Sequence, residues 1–66
     1  MKVKVNRRSV DIFDGARARD AVLRYLVLRK MDVSLIRQAE FYDALGHPIG
    51  ADSPLAEGQV IKVKNI

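Results

Sequence analysis

Residues 18–30 read Ala18-Arg19-Asp20-Ala21-Val22-Leu23-Arg24-Tyr25-Leu26-Val27-Leu28-Arg29-Lys30, and their apolar positions recur with a helical period. At about 100° per residue, Ala18, Ala21, Val22, Tyr25 and Leu26 gather on one face, which predicts an amphipathic helix from Ala18 to about Lys30. Asp20 in the first turn is placed to pair with Arg24 at i+4. Arg29 and Lys30 suit the negative end of the helix dipole, whereas Arg17 and Arg19 oppose it at the start. No Ser or Thr stands at Ala16 or Arg17 to cap that start.

On either side of the helix the period shortens to two. Lys2-Val3-Lys4-Val5 alternates strictly and reads as a strand with its valines inward. Val10-Asp11-Ile12 alternates again after the polar stretch Asn6-Arg7-Arg8-Ser9, so the two runs form a hairpin. Asp14-Gly15 ends it. At the other end, Glu57-Gly58-Gln59 supplies a glycine able to take positive φ, and Val60-Ile61-Lys62-Val63-Lys64 is a closing strand with Ile61 and Val63 inward.

The segment from Asp32 to Gly46 has two readings. Ser34 could cap a second helix carrying Leu35, Ala39, Tyr42 and Leu45 and stopping at Gly46. Alternatively Glu40-Phe41-Tyr42 is a strand ending in Asp43-Ala44-Leu45-Gly46, with Asp first and Gly fourth as a type I turn prefers, and Pro48-Ile49 begins a short return strand. The strand is the preferred reading. The resulting order, ββαβ(β)β, predicts one α+β domain over residues 1–66: a mixed sheet of four to five strands packed on one helix. The strands from the two ends of the chain lie centrally and parallel, joined by a right-handed crossover.

That order is the ubiquitin-like β-grasp, and three segments resemble its ThiS/MoaD sulfur-carrier branch. They are Gly15-Ala16-Arg17-Ala18-Arg19-Asp20-Ala21-Val22 at the helix start, Asp43-Ala44-Leu45-Gly46-His47-Pro48-Ile49 at the third strand, and Asp52-Ser53-Pro54-Leu55-Ala56-Glu57-Gly58-Gln59-Val60-Ile61 before the last. The pattern is shared with TGS domains and other ubiquitin-like modules, so it specifies fold better than function. Two departures bear on function. Arg17 replaces the Thr of the family's helix start, removing its cap. Sulfur carriers of this type present a flexible Gly-Gly tail whose carboxylate is adenylated and converted to a thiocarboxylate, whereas this sequence reads Lys64-Asn65-Ile66 after its last strand. The resemblance therefore implies a relative without the carrier chemistry, or a carrier whose tail lies outside this sequence.

Composition bounds the chemistry. Sixty-six residues make one thin core, and a domain of this size buries only about 60% of the surface its unfolded chain exposes. There is no cysteine and His47 is the lone histidine, which excludes thiolate and multi-histidine metal sites. No nucleophile–base pairing and no glycine-rich phosphate loop occurs, so neither enzymatic activity nor a bound cofactor is expected. No apolar run approaches the ~20 residues of a membrane span, and the first residues are no secretory signal, so the expected location is the cytoplasm. Twelve Lys and Arg against eight Asp and Glu give a net charge of +4, which favours acidic partners.

The candidate site residues fall in two sets. Period two puts Lys2, Lys4, Lys62 and Lys64 on the sheet face away from the helix, with Arg7 and Arg8 at the hairpin tip nearby. This set reads either as a solvated face or as a docking surface for an acidic protein or a phosphate backbone. Nucleic-acid binding would want an aromatic among the charges, for which Phe41 or Tyr42 is available. Leu23 and Val27 form the second set, opposite the main apolar face and continued by Met31. They mark a partner contact, or they are covered by Val33–Ile36 folding back. Arg17 and Arg19 beside a helix start form a candidate anion site. His47, Asp43 and Asp52 are turn residues. The partner implied by the resemblance is an E1-like adenylating enzyme. By the resemblance to TGS domains, the alternative is a nucleic-acid-contacting module.

Overall fold

The alternating runs at the two ends of the chain become neighbouring parallel strands in the computed structural model, which describes residues 1–66. The elements in chain order are β1 (Lys2–Val5), β2 (Arg8–Asp11), α1 (Ala18–Leu28), a 3-10 helix (Val33–Arg37), β3 (Glu40–Asp43) and β4 (Val60–Lys64). The sheet runs β2-β1-β4-β3, with only the central β1–β4 pair parallel. This is an α+β fold, one helix on an open mixed sheet, consistent with the β-grasp order.

The core is what the two periods foretell. Val3 and Val5 of β1, Val10 of β2, Phe41 of β3, and Ile61 and Val63 of β4 are buried from the sheet side. Ala18, Ala21, Val22, Tyr25 and Leu26 are buried from the helix side. Leu26 and Ile61 are the largest side chains with no exposure at all, so the middle of the core rests on these two.

Three features hold the sheet in register. The β1–β2 turn is Asn6-Arg7, with φ of 49° and 72°, the left-handed pair that a type I′ hairpin requires. The Asn6 backbone N–H donates to the Ile61 carbonyl at 3.0 Å. Its side-chain amide then accepts from Val63 N–H at 2.9 Å and donates to the Val63 carbonyl at 3.2 Å. A single asparagine thus extends the parallel ladder past the point where β1 has already turned away. At the opposite end Glu57 Oε2 accepts from Lys2 N–H at 2.7 Å, and Gly58 N–H donates to the Lys2 carbonyl at 2.7 Å. Gly58 has a φ of 79°, as the sequence anticipates.

The helix ends differ from expectation in instructive ways. α1 stops at Leu28 rather than Lys30. Lys30 adopts φ of 57°, its N–H bonding the Val27 carbonyl while Met31 N–H bonds the Leu26 carbonyl, which is a Schellman stop with lysine where glycine is usual. Asp20 does not pair with Arg24. Its carboxylate turns back to accept from Arg17 N–H at 2.9 Å. The start is not left open either: Ala18 N–H donates to Ser53 O and Arg19 N–H to Ala51 O, both at 2.9 Å. A distant loop supplies the cap that the local sequence lacks.

The segment after the helix contains parts of both readings. The strand is present at Glu40–Asp43, and the helical tendency survives as the 3-10 turn Val33–Arg37. Its cap is Asp32, whose carboxylate accepts from Ser34 N–H at 2.9 Å; Ser34 is capped, not capping. Asp43-Ala44-Leu45-Gly46 is a turn, with Gly46 N–H bonded to Asp43 O at 3.0 Å and Gly46 at φ of 85°. The return strand reduces to an isolated Tyr42–Pro48 bridge, flanked by Asp43 N–H to His47 O at 2.9 Å and Ile49 N–H to Phe41 O at 3.0 Å.

Two substitutions test this account. Asn6→Ala removes both clamp bonds and puts a less tolerant residue at positive φ, so denaturant unfolding is expected to show a loss of roughly 2–3 kcal/mol. Lys30→Gly relieves the left-handed strain at the helix stop and is expected to raise stability by about 1 kcal/mol in the same measurement.

Candidate functional site

Strand register decides which side chains share the uncovered face. Opposed residues lie on the same side, so Lys4 with Ser9, Lys2 with Asp11, Lys64 with Glu40 and Lys62 with Tyr42 all point away from the helix. Lys2, Lys4, Lys62 and Lys64 are exposed. No second layer covers this face, and none of the four lysines has a carboxylate within ion-pair distance.

The charge is not uniform. Asp11 stands opposite Lys2, although its carboxylate lies 3.7 Å from the terminal ammonium of Met1. Glu40 stands opposite Lys64 and accepts a 3.1 Å hydrogen bond from the Tyr42 hydroxyl. Lys4 and Lys62, on adjoining strands, face Ser9 and Tyr42 instead and form the uncompensated centre. Beside them lies a shallow recess of about 310 Å³ lined by Asn6, Arg7, Val60, Lys62, Val63 and Lys64.

The two aromatics of β3 part company. Phe41 enters the core, and Tyr42 lies on the lysine face with Lys64 Nζ 5.1 Å from its ring centre. The hydrogen bond donated to Glu40 raises the Tyr42 pKa, as do partial burial and the Glu40 charge, so the ring stays a neutral phenol. Period two alone separates Phe41 from Tyr42. Only the pairing of β3 with β4 shows which of them joins the lysines.

The hairpin arginines divide as well. Arg7 sits in the turn and lines the recess, whereas Arg8 is the first residue of β2 and stands opposite Val5, on the helix side of the sheet at its edge. On the helix, Leu23 is half-buried and Val27 is 55% exposed. The 3-10 turn packs against α1, with Leu35 and Ile36 directed to the core, but Val27, Leu28 and Val33 stay in contact with solvent.

Arg17 and Arg19 do not make an anion site. The N–H groups of Ala18 and Arg19 that would bind it are already bonded to Ser53 and Ala51. Arg17 Nη1 donates to Asp52 O at 2.8 Å, and Arg19 reaches the Asp52 carboxylate at 4.0 Å. His47 and Asp43 belong to the β3 turn. Asp43 Oδ1 accepts from the backbone N–H groups of Leu45 and His47, each at 2.9 Å, and the His47 ring lies 3.7 Å from Oδ2. Asp52 supplies a backbone carbonyl and a loose ion pair, which is a structural role.

No helix is long and apolar enough to cross a membrane. No family model, no curated protein and no solved structure matches the chain.

The Asp43 turn carries a pH signature. Hydrogen bonds from His47 N–H first, then Leu45 N–H, hold its carboxyl below the ordinary value of 3.8. A pKa depressed by folding contributes stability above the unfolded value and loses it as pH falls through the lower folded value. The melting-temperature gap between wild type and Asp43→Asn is therefore expected to hold from neutral pH to the ordinary carboxylate range and to close below it.

Proposed function

We propose that this chain is a non-enzymatic binding module that docks an acidic surface of a partner protein on the open face of its sheet. The observation that carries this reading is the uncompensated pair Lys4 and Lys62 at the centre of an uncovered face, with Lys2, Lys64 and Arg7 around it and Tyr42 among them. Lysines in such an arrangement attract a complementary negative patch. The half-buried Tyr42 ring adds apolar contact area to the charged face.

The finer reading places the module in a sulfur-carrier or cofactor-assembly pathway, with an E1-like adenylating enzyme as partner. Its support is the resemblance of the three motifs together with the β-grasp order. The residues directly after β4 are held to the domain. Gln38 Nε2 donates to Asn65 O and Asn65 Nδ2 donates to Gln38 O, both at 2.9 Å, while Ile66 packs against the core. Residues 65 and 66 are thus tied to the domain.

A nucleic-acid-contacting role of TGS type is the second reading, favoured by the position of Tyr42 among the lysines, where a base could stack. One variant bears on both. Lys4→Glu with Lys62→Glu reverses the central charge without touching the core. Wild type is expected to capture an E1-like adenylating enzyme at low salt and the double variant to lose it. Retained capture by the variant overturns the docking surface, and no capture by wild type overturns the pathway. Affinity for a single-stranded oligonucleotide that falls steeply with salt in wild type and vanishes in the variant would establish the second reading instead.

A further inference from the structure

At the β3 edge the structure contains a second concave surface, which adjoins the lysine face at Glu40 and Tyr42. It is a groove of about 670 Å³ between the first turn of α1, the 3-10 helix, β3 and residues 48–51. Its apolar floor is formed by Ile36, Ala39, Phe41 and Ile49, all of them packed into or against the core.

Two guanidinium groups flank the floor. Arg37, in the last turn of the 3-10 helix, has no hydrogen-bond or ion-pair partner for its side chain. Arg19, on the first turn of α1, is 55% exposed and reaches the Asp52 carboxylate only at 4.0 Å. The acidic member of the lining, Glu40, is on the lysine side of β3, round the edge from Arg19, and is already engaged by the Tyr42 hydroxyl. The groove is therefore apolar along its floor and cationic on its helix side.

We infer that this groove binds a short segment of a partner protein in which a carboxylate adjoins a large apolar side chain. The apolar side chain lies on Ile36, Phe41 and Ile49, and the carboxylate is shared by Arg19 and Arg37. Arginine suits this task because its planar fork meets a carboxylate with two parallel hydrogen bonds. Charge complementarity fixes the polarity of the occupant, since a second acidic group at the Glu40 end is repelled. This surface meets the lysine face only at Glu40 and Tyr42, and neither Lys4 nor Lys62 lines it.

The test is a titration of the isotope-labelled 66-residue chain with the peptide acetyl-Gly-Leu-Asp-Leu-amide, which carries a single carboxylate, followed by amide chemical shifts at low salt. Shifts are expected at Ile36, Arg37, Ala39, Phe41 and Ile49, and Arg37→Glu is expected to weaken binding by roughly tenfold. Arg37 is exposed, and the spectrum of the free variant reports directly that it is folded. The same peptide with Asn in place of its Asp is expected to lose binding. The inference is overturned if these amides do not move at millimolar peptide. It is equally overturned if the shifts fall on Lys4 and Lys62 instead, or if Arg37→Glu binds as well as wild type.

Discussion

The parallel pairing of β1 with β4 is the contact on which the rest of the molecule depends. Lys4 N–H bonds to Gln59 O, Asn6 N–H to Ile61 O, and the Asn6 amide takes both backbone groups of Val63. This brings Val3, Val5, Ile61 and Val63 together as the centre of the inner face and, by the same alternation, collects Lys2, Lys4, Lys62 and Lys64 on the outer one. Buried core and lysine face are two sides of one register. A slip of one residue would exchange them and leave neither.

Because closure of the sheet joins distant segments, loops perform tasks that the local sequence leaves undone. The helix start has arginine where a cap is expected, and its first N–H groups are met by carbonyls of residues 51 and 53. The loop that follows ties Glu57 and Gly58 to Lys2, at the beginning of β1. Residues 51–58 therefore link the helix to the sheet, which matters in a chain with so thin a core. The same capping fills the place where an anion would otherwise sit, and it turns Arg17 into a structural residue.

Positive-φ side chains at Arg7 and Lys30 oppose local stability, since glycine is easier at both positions. Arg7 lines the recess beside Lys62 and Lys64. Lys30 lies at the helix stop, and nothing in the structure explains the preference for lysine there.

The sequence by itself determined the strands, the helical face and the identity of most buried residues. Val3, Val5, Ala21, Val22, Leu26, Ile61 and Val63 follow from periods of two and 3.6, because burial of one face is a property of local geometry. It also determined which lysines share a face. Tertiary structure decided what period cannot encode. The pairing of β3 with β4 placed Tyr42 among the lysines and Phe41 in the core, and the capping carbonyls at residues 51 and 53 came from a loop more than thirty positions away. The groove flanked by Arg19 and Arg37 likewise exists only where four separate segments meet. Such features depend on contacts between residues far apart in the chain, and a period read within one segment carries no information about its neighbour in space.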